Sequence, residues 1–123
     1  MTRVLLRFYL SPDRPLGPGK IRILESIRDG GSISGAAREM RMSYRSAWLL
    51  VDSMNSQFKQ LVVSTTTGGP GGGSATLTEF GESLIRRYRA MERSAQRAIA
   101  KDLAALERDL RSAQRRRVGS VRL

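Results

Sequence analysis

A chain of 123 residues has room for one modest core, and with neither cysteine nor histidine it holds no thiolate zinc site, no Cys nucleophile and no His general base. Lys plus Arg number 22 against 11 Asp plus Glu, a net charge of +11 carried almost wholly by arginine. Arginine is the side chain suited to forked contact with phosphates and guanine edges, so the charge points to nucleic acid ahead of anionic lipid. Arg7 interrupts the apolar run Val4 to Leu10, which leaves too little for a signal peptide, and no stretch reaches membrane-spanning length. A cytoplasmic, nucleoid-associated location with no membrane partner is the expectation.

The loose alternation over residues 3–10 predicts a short strand, and the Pro- and Gly-rich stretch Ser11 to Gly19 predicts a loop. Pro18 suits the first turn of a helix whose apolar face is Ile21, Leu24 and Ile27 and which Gly30-Gly31 stops. Two short helical signals follow. Ser34 is the expected cap of one running through Ala36, Ala37 and Met40; Ser43 is the expected cap of the other, which runs to about Phe58. Leu61 to Thr65 and Ala75 to Leu77 read as the strands of a hairpin with a glycine-rich tip at Gly68 to Gly73. Thr78 then caps a helix expected to run unbroken to about Ala113, roughly 50 Å at 1.5 Å per residue. The predicted class is mainly α with a small β component, a winged helix-turn-helix with a long C-terminal dimerisation helix. The predicted organisation is a DNA-binding domain over 1–77 (strand 3–10, helix-turn-helix 34–58, wing 61–77), the helix over 78–113, and a basic, disordered tail over 114–123.

In the second helix of the pair, Ala47, Leu50, Val51, Met54 and Phe58 share one face at helical spacing. Tyr44, Arg45, Ser46 and Leu49 are left on the exposed N-terminal turns, the end that enters the major groove in a helix-turn-helix. Arg45 suits a guanine, Ser46 a base or phosphate, and Leu49 a thymine methyl. Trp48 falls on the boundary, where core packing is the expected role over base contact. Met40, Met42 and Met54 read as core filler. The backbone-contact candidates are Ser34, Arg38, Arg41 and Ser43, with the wing hydroxyls of Thr65, Thr66, Thr67 and Ser74. The glycine loop is no P-loop, because no Gly-Lys-Ser/Thr follows it. The competing account of the helix pair is a helical hairpin in an ordinary bundle, with Arg45 merely solvated.

Along the last helix, Leu84, Tyr88, Met91, Ala95, Ile99, Leu103, Leu106 and Leu110 recur at steps of three or four. A leucine stripe left open in a monomer predicts a homodimer through this helix. The expected partners are therefore double-stranded DNA and a second copy of the chain. No cofactor, metal or small-molecule effector site is expected. The rival reading is a winged helix serving as a protein-interaction module that binds its partner through the same stripe.

The run GSISGAAREMRMSYRSAWLLVDSMN, Gly31 to Asn55, resembles the N-terminal DNA-binding domain of ModE-type molybdate-responsive regulators, relatives of the LysR-type domains. TTTGGPGGGSATLTEFG, Thr65 to Gly81, resembles that family's glycine-rich wing and the L-T-x-x-G start of its next helix. The resemblance covers about residues 3–112. It implies a dimeric repressor or activator on a palindromic operator, in a family whose target genes serve molybdenum uptake and use. Sensor-bearing members carry C-terminal oxyanion-binding domains that are not expected within these 123 residues, whether the chain is a naturally short member or a piece of a longer one, so the resemblance does not carry molybdate binding over.

Overall fold

The computed structural model describes residues 2–66 and 73–111. The chain divides into two units, Met1–Glu92 and Arg93–Leu123. In order come β1 (Phe8–Ser11), β2 (Arg14–Leu16), α1 (Pro18–Gly30), α2 (Ile33–Glu39), α3 (Tyr44–Gln57), β3 (Val63–Thr66), β4 (Ser74–Leu77), α4 (Glu79–Ala98) and α5 (Ala100–Arg108). The fold is mainly helical with two small antiparallel sheets, β1-β2 and β3-β4.

α1 opens on Pro18 and ends where Gly31, at φ 77°, donates its N–H to the Ile27 carbonyl. Its buried residues Ile21, Ile23, Leu24 and Ile27 are wholly shielded from solvent. Each such side chain contributes about 1.5–3 kcal/mol relative to exposure, which makes α1 the centre of the core. α2 is capped by Ser32, whose Oγ accepts from the Gly35 N–H at 2.9 Å, and not by Ser34 as the sequence suggested. Ile33 is itself buried and opens the helix, so the extended residue before it is the cap, and Ser34 lies exposed inside the first turn. Ala36 and Ala37 on α2 and Ala47 on α3 are buried; side chains this small let the two helices cross closely. Met54 is fully buried, while Met40 and Met42 pack partly buried against the same core.

The Pro-rich stretch read as a loop is the second half of a hairpin. β1 and β2 pair antiparallel around the turn at Pro12-Asp13, with Ser11 opposite Arg14; strand geometry runs Phe8–Ser11 and so overlaps the expected 3–10 only from Phe8 to Leu10. Proline is tolerated here because a two-stranded sheet consists of edges, where a missing N–H need not break a ladder. Phe8 meets the Tyr88 ring edge-on at 6.0 Å, and the Tyr88 hydroxyl donates to the Leu6 carbonyl at 2.6 Å. Burial, and then the nearby Glu92 carboxylate, push the Tyr88 phenol above its ordinary range.

β3 and β4 pair in register from Val63–Leu77 to Thr66–Ser74. The Ala75 N–H donates to the Gly31 carbonyl at 2.9 Å, joining β4 to the end of α1. Thr78 caps α4: its Oγ1 accepts from the Gly81 N–H at 2.9 Å and donates to the Leu61 carbonyl at 2.6 Å. From α4, Leu84, Ile85 and Tyr88 enter the core. Leu84 and Tyr88 were expected in a dimer interface; only 6% and 0% exposed, they are used up by the fold of their own chain. Next to Tyr88, Arg89 forms a two-pronged ion pair with Glu25 of α1, at 2.8 and 3.0 Å, and a third bond with Glu92 at 2.8 Å. Its hydrogen bonds to Glu25 and then Glu92 raise its pKa further above the ordinary arginine range.

In the second unit the helix expected to be continuous is interrupted. Ile99, at φ −105° and ψ 7°, separates the end of α4 from α5, although Ile99 N–H still donates to Ala95 and Leu103 N–H to Ile99. α5 ends at Arg108 rather than near Ala113, and the tail over 114–123 lies outside the described residues. Among the described residues no helix is long and apolar enough to cross a membrane.

Candidate nucleic-acid interface

The start of α3 is capped and open. Ser43 caps it, its Oγ accepting from the Ser46 N–H at 3.0 Å and donating to the Ser46 hydroxyl at 3.0 Å. Ala47, Val51 and Met54 lie on the buried side, which leaves Tyr44, Arg45, Ser46 and Leu49 exposed on the other. Trp48 corrects the sequence expectation. It is 44% exposed, beside Tyr44 at 56% and Leu49 at 45%, so three large apolar side chains stand in solvent on the first two turns. The boundary angle allowed either outcome; the buried side of α3 is filled by Ala47, Val51 and Met54 without it.

Ser34 and Arg38 are exposed on α2, and Arg41 is exposed in the turn between α2 and α3. Arg41 adopts φ 57°, the left-handed conformation that the tight turn requires and that a side-chain-bearing residue holds at a cost. The turn is closed by Met40 N–H to Ala36 and Met42 N–H to Ala37, both at 3.0 Å. Of the two acidic side chains between Ile33 and Gln57, Glu39 is engaged by the Ser26 hydroxyl, while Asp52 is exposed on α3.

Two hairpins hold the other end of α3. On one side Asn55 bridges to the wing: its Oδ1 accepts from the Val62 and Val63 N–H groups at 2.7 and 3.2 Å, and its Nδ2 donates to the Val63 carbonyl at 3.1 Å. On another side Gln57 donates to Ser11 Oγ and the Arg14 carbonyl at 3.0 Å each, and Arg14 donates to the Ser53 carbonyl and Ser56 Oγ. The wing strands present Thr65, Thr66 and Ser74 to solvent. The hydroxyls of Thr66 and Ser74 lie 2.7 Å apart across the hairpin. Thr67 and most of the glycine tip lie outside the described residues. The predicted base-contact residues thus share one open surface. The backbone-contact candidates sit on α2, its turn, the α3 cap and the wing; among the described residues direct hydrogen bonds join Arg41 to Arg38, Ser43 to Ser46 and Thr66 to Ser74.

Asn55, Arg14 and Gln57 position α3 without being among the residues the sequence singled out. Asn55 left one faint signal, a poor helix former placed beside the buried Met54 near the helix end.

No family model matches the chain. The molybdenum-pterin-binding protein MopA of Rhodobacter capsulatus is 41% identical over 92 residues, 75% of this chain and 33% of MopA. The molybdenum transport protein ModE of Azotobacter vinelandii is 38% identical over 100 residues, 80% of this chain and 37% of that one. The DNA-binding transcriptional dual regulator ModE of Escherichia coli K12 is 37% identical over 96 residues, 78% and 37% of the two chains. The chain therefore spans about a third of the length of these relatives. In fold it matches full-length LTTR LysG from Corynebacterium glutamicum at TM-score 0.53 and 24% identity, over 77% of this chain and 30% of that one. It also matches the CbnR DNA-binding domain, solved with DNA, at TM-score 0.53 and 15% identity, over 71% and 94%.

Proposed function

We propose, from the premise that this chain carries a winged helix-turn-helix domain of the ModE type, that this DNA-binding transcription regulator works as a homodimer on a palindromic duplex operator. Tyr44, Arg45, Ser46 and Leu49 contact bases, while Ser34, Arg38, Arg41, Ser43, Thr65, Thr66, Thr67 and Ser74 contact the sugar-phosphate backbone. The observation that supports this most is the capped first turn of α3. Arg45 is exposed there, with Arg38 and Arg41 exposed on the preceding helix and turn. A net charge of +11 suits a polyanion. The homodimer is formed by Met91, Ala95, Ile99, Leu103, Leu106 and Leu110. Of these Met91, Ile99, Leu106 and Leu110 are 42%, 37%, 63% and 63% exposed in the single chain, and apolar side chains so placed favour a partner. A two-fold pair sets two α3 helices on successive turns of a palindrome. The relatives' names tie them to molybdenum transport and molybdenum-pterin binding, and genes of that class are the proposed targets. With genomic DNA as ligand, the proposed place of work is the cytoplasm, on the nucleoid.

The test is Arg45→Ala, with binding measured on duplexes selected by the parent and on random duplexes across a salt series. The expected loss is about 1–3 kcal/mol on the selected site, with relaxed base preference. Affinity should also fall steeply with salt as phosphate contacts release counterions. Equal weakening on all sequences makes Arg45 a phosphate contact, and a parent that prefers no duplex overturns the regulator reading.

A further inference from the structure

The open surface of α3 does not stop at Leu49. Tyr44, Trp48 and Asp52 follow one another at steps of four, so they form a single stripe along the helix. The flanking hairpins engage α3 through Ser53, Asn55, Ser56 and Gln57 and leave this stripe unoccupied. Trp48 stands 44% exposed and Asp52 is exposed. The Asp52 carboxylate has neither an ion pair nor a hydrogen bond among the described residues. An indole and an unpaired carboxylate are unexpected on a surface proposed to meet a polyanion, and each needs a chemical counterpart there.

The major groove offers both counterparts. A carboxylate is repelled by phosphate oxygens, by guanine O6 and N7 and by thymine O4; it is welcomed by the cytosine N4 amino group, and less by the adenine N6 amino group, which has the N7 acceptor beside it. An exposed aromatic ring gains most from an apolar neighbour, and the only large apolar group on that groove floor is the thymine C5 methyl. Four residues of helix separate Trp48 from Asp52 by about 6 Å along the axis. That is one to two base steps at about 3.4 Å per step along a strand. We propose that Trp48 and Asp52 form a second specificity row beyond the Arg45 turn, in which Trp48 packs on a thymine methyl and Asp52 accepts from a cytosine amino group one or two steps away. This inference rests on the duplex-reading role of α3 proposed above.

The experiment selects duplexes from a random pool with the parent protein, Trp48→Ala and Asp52→Asn, and then measures binding to the parent's selected site. Far-UV circular dichroism of all three checks that these exposed substitutions leave the fold intact. Asp52→Asn is expected to lose the selection for cytosine at one position of each half-site, with about tenfold less discrimination there. Replacing the neighbouring thymine by uracil, which deletes only the methyl, is expected to weaken the parent about fourfold and Trp48→Ala hardly at all. If Asp52→Asn selects the same sequence and gains affinity equally on all duplexes, the carboxylate merely lies near the backbone and the cytosine assignment falls. If uracil weakens parent and Trp48→Ala alike, the methyl assignment falls. A parent that retains no duplex at all overturns the DNA-reading role itself, a result distinct from either of these.

Discussion

Gly81 sits where the wing and α4 come closest. A Cβ built on it would lie 2.4 Å from the Val62 carbonyl oxygen and 2.9 Å from Leu77 Cδ1. The same turn is bound by Thr78, which caps α4 while donating to the Leu61 carbonyl. The L-T-x-x-G stretch is therefore a clamp: the threonine ties helix to strand, and the missing side chain lets them approach. Alanine is the better helix former by about 1 kcal/mol, yet here the contact is with backbone and with the partly buried Leu77 packed against the core, which give little. Gly81→Ala is expected to lose about 1–3 kcal/mol of stability, read from the urea midpoint. Gly30, with nothing within 4 Å of a built Cβ, is the control and should tolerate alanine. An unchanged or raised midpoint for Gly81→Ala contradicts the clamp.

Among the elements, those specified by their own apolar spacing were the most legible. The face of α1 reads directly as Ile21, Leu24 and Ile27, and Gly31 ends it in the left-handed conformation its neighbours demand. The start of α3 is equally plain, because Ser43 is the one capping side chain before a buried face. The hairpin of β1 and β2 was hidden by its prolines, which resemble loop chemistry until the strand is seen to be an edge. The start of α2 was misjudged by two residues because two serines flank Ile33, and only its burial decides between them. Asn55 was barely legible for a different reason: its partners are backbone groups of Val62 and Val63, and a sequence does not display where backbone groups end up. The interruption at Ile99 has neither glycine nor proline to mark it. The open surface of α3 was legible at Tyr44, Arg45, Ser46 and Leu49, and its extension to Trp48 required knowing that the core is full without it.

For the whole molecule, charge and the exposed stripe of the second unit set the expectations. Ile99, Leu106 and Leu110 stand open in one chain, and apolar side chains so placed favour a partner. A chain of 13.7 kDa is expected to elute with twice that mass at micromolar concentration, measured by light scattering, and Leu106→Glu with Leu110→Glu to restore the single-chain mass. A parent of single-chain mass contradicts the dimer while leaving the proposed reading role of α3 untouched.

That surface carries its own reporter, since Trp48 is the one tryptophan in the sequence and stands 44% exposed on α3. The decisive measurement is its fluorescence during titration with the selected duplex, with acrylamide quenching at each end. If α3 enters the groove, emission changes saturably in step with the anisotropy of a labelled duplex, and quenching falls. Full binding by anisotropy with unchanged Trp48 emission and quenching would place the DNA on another face and contradict the account.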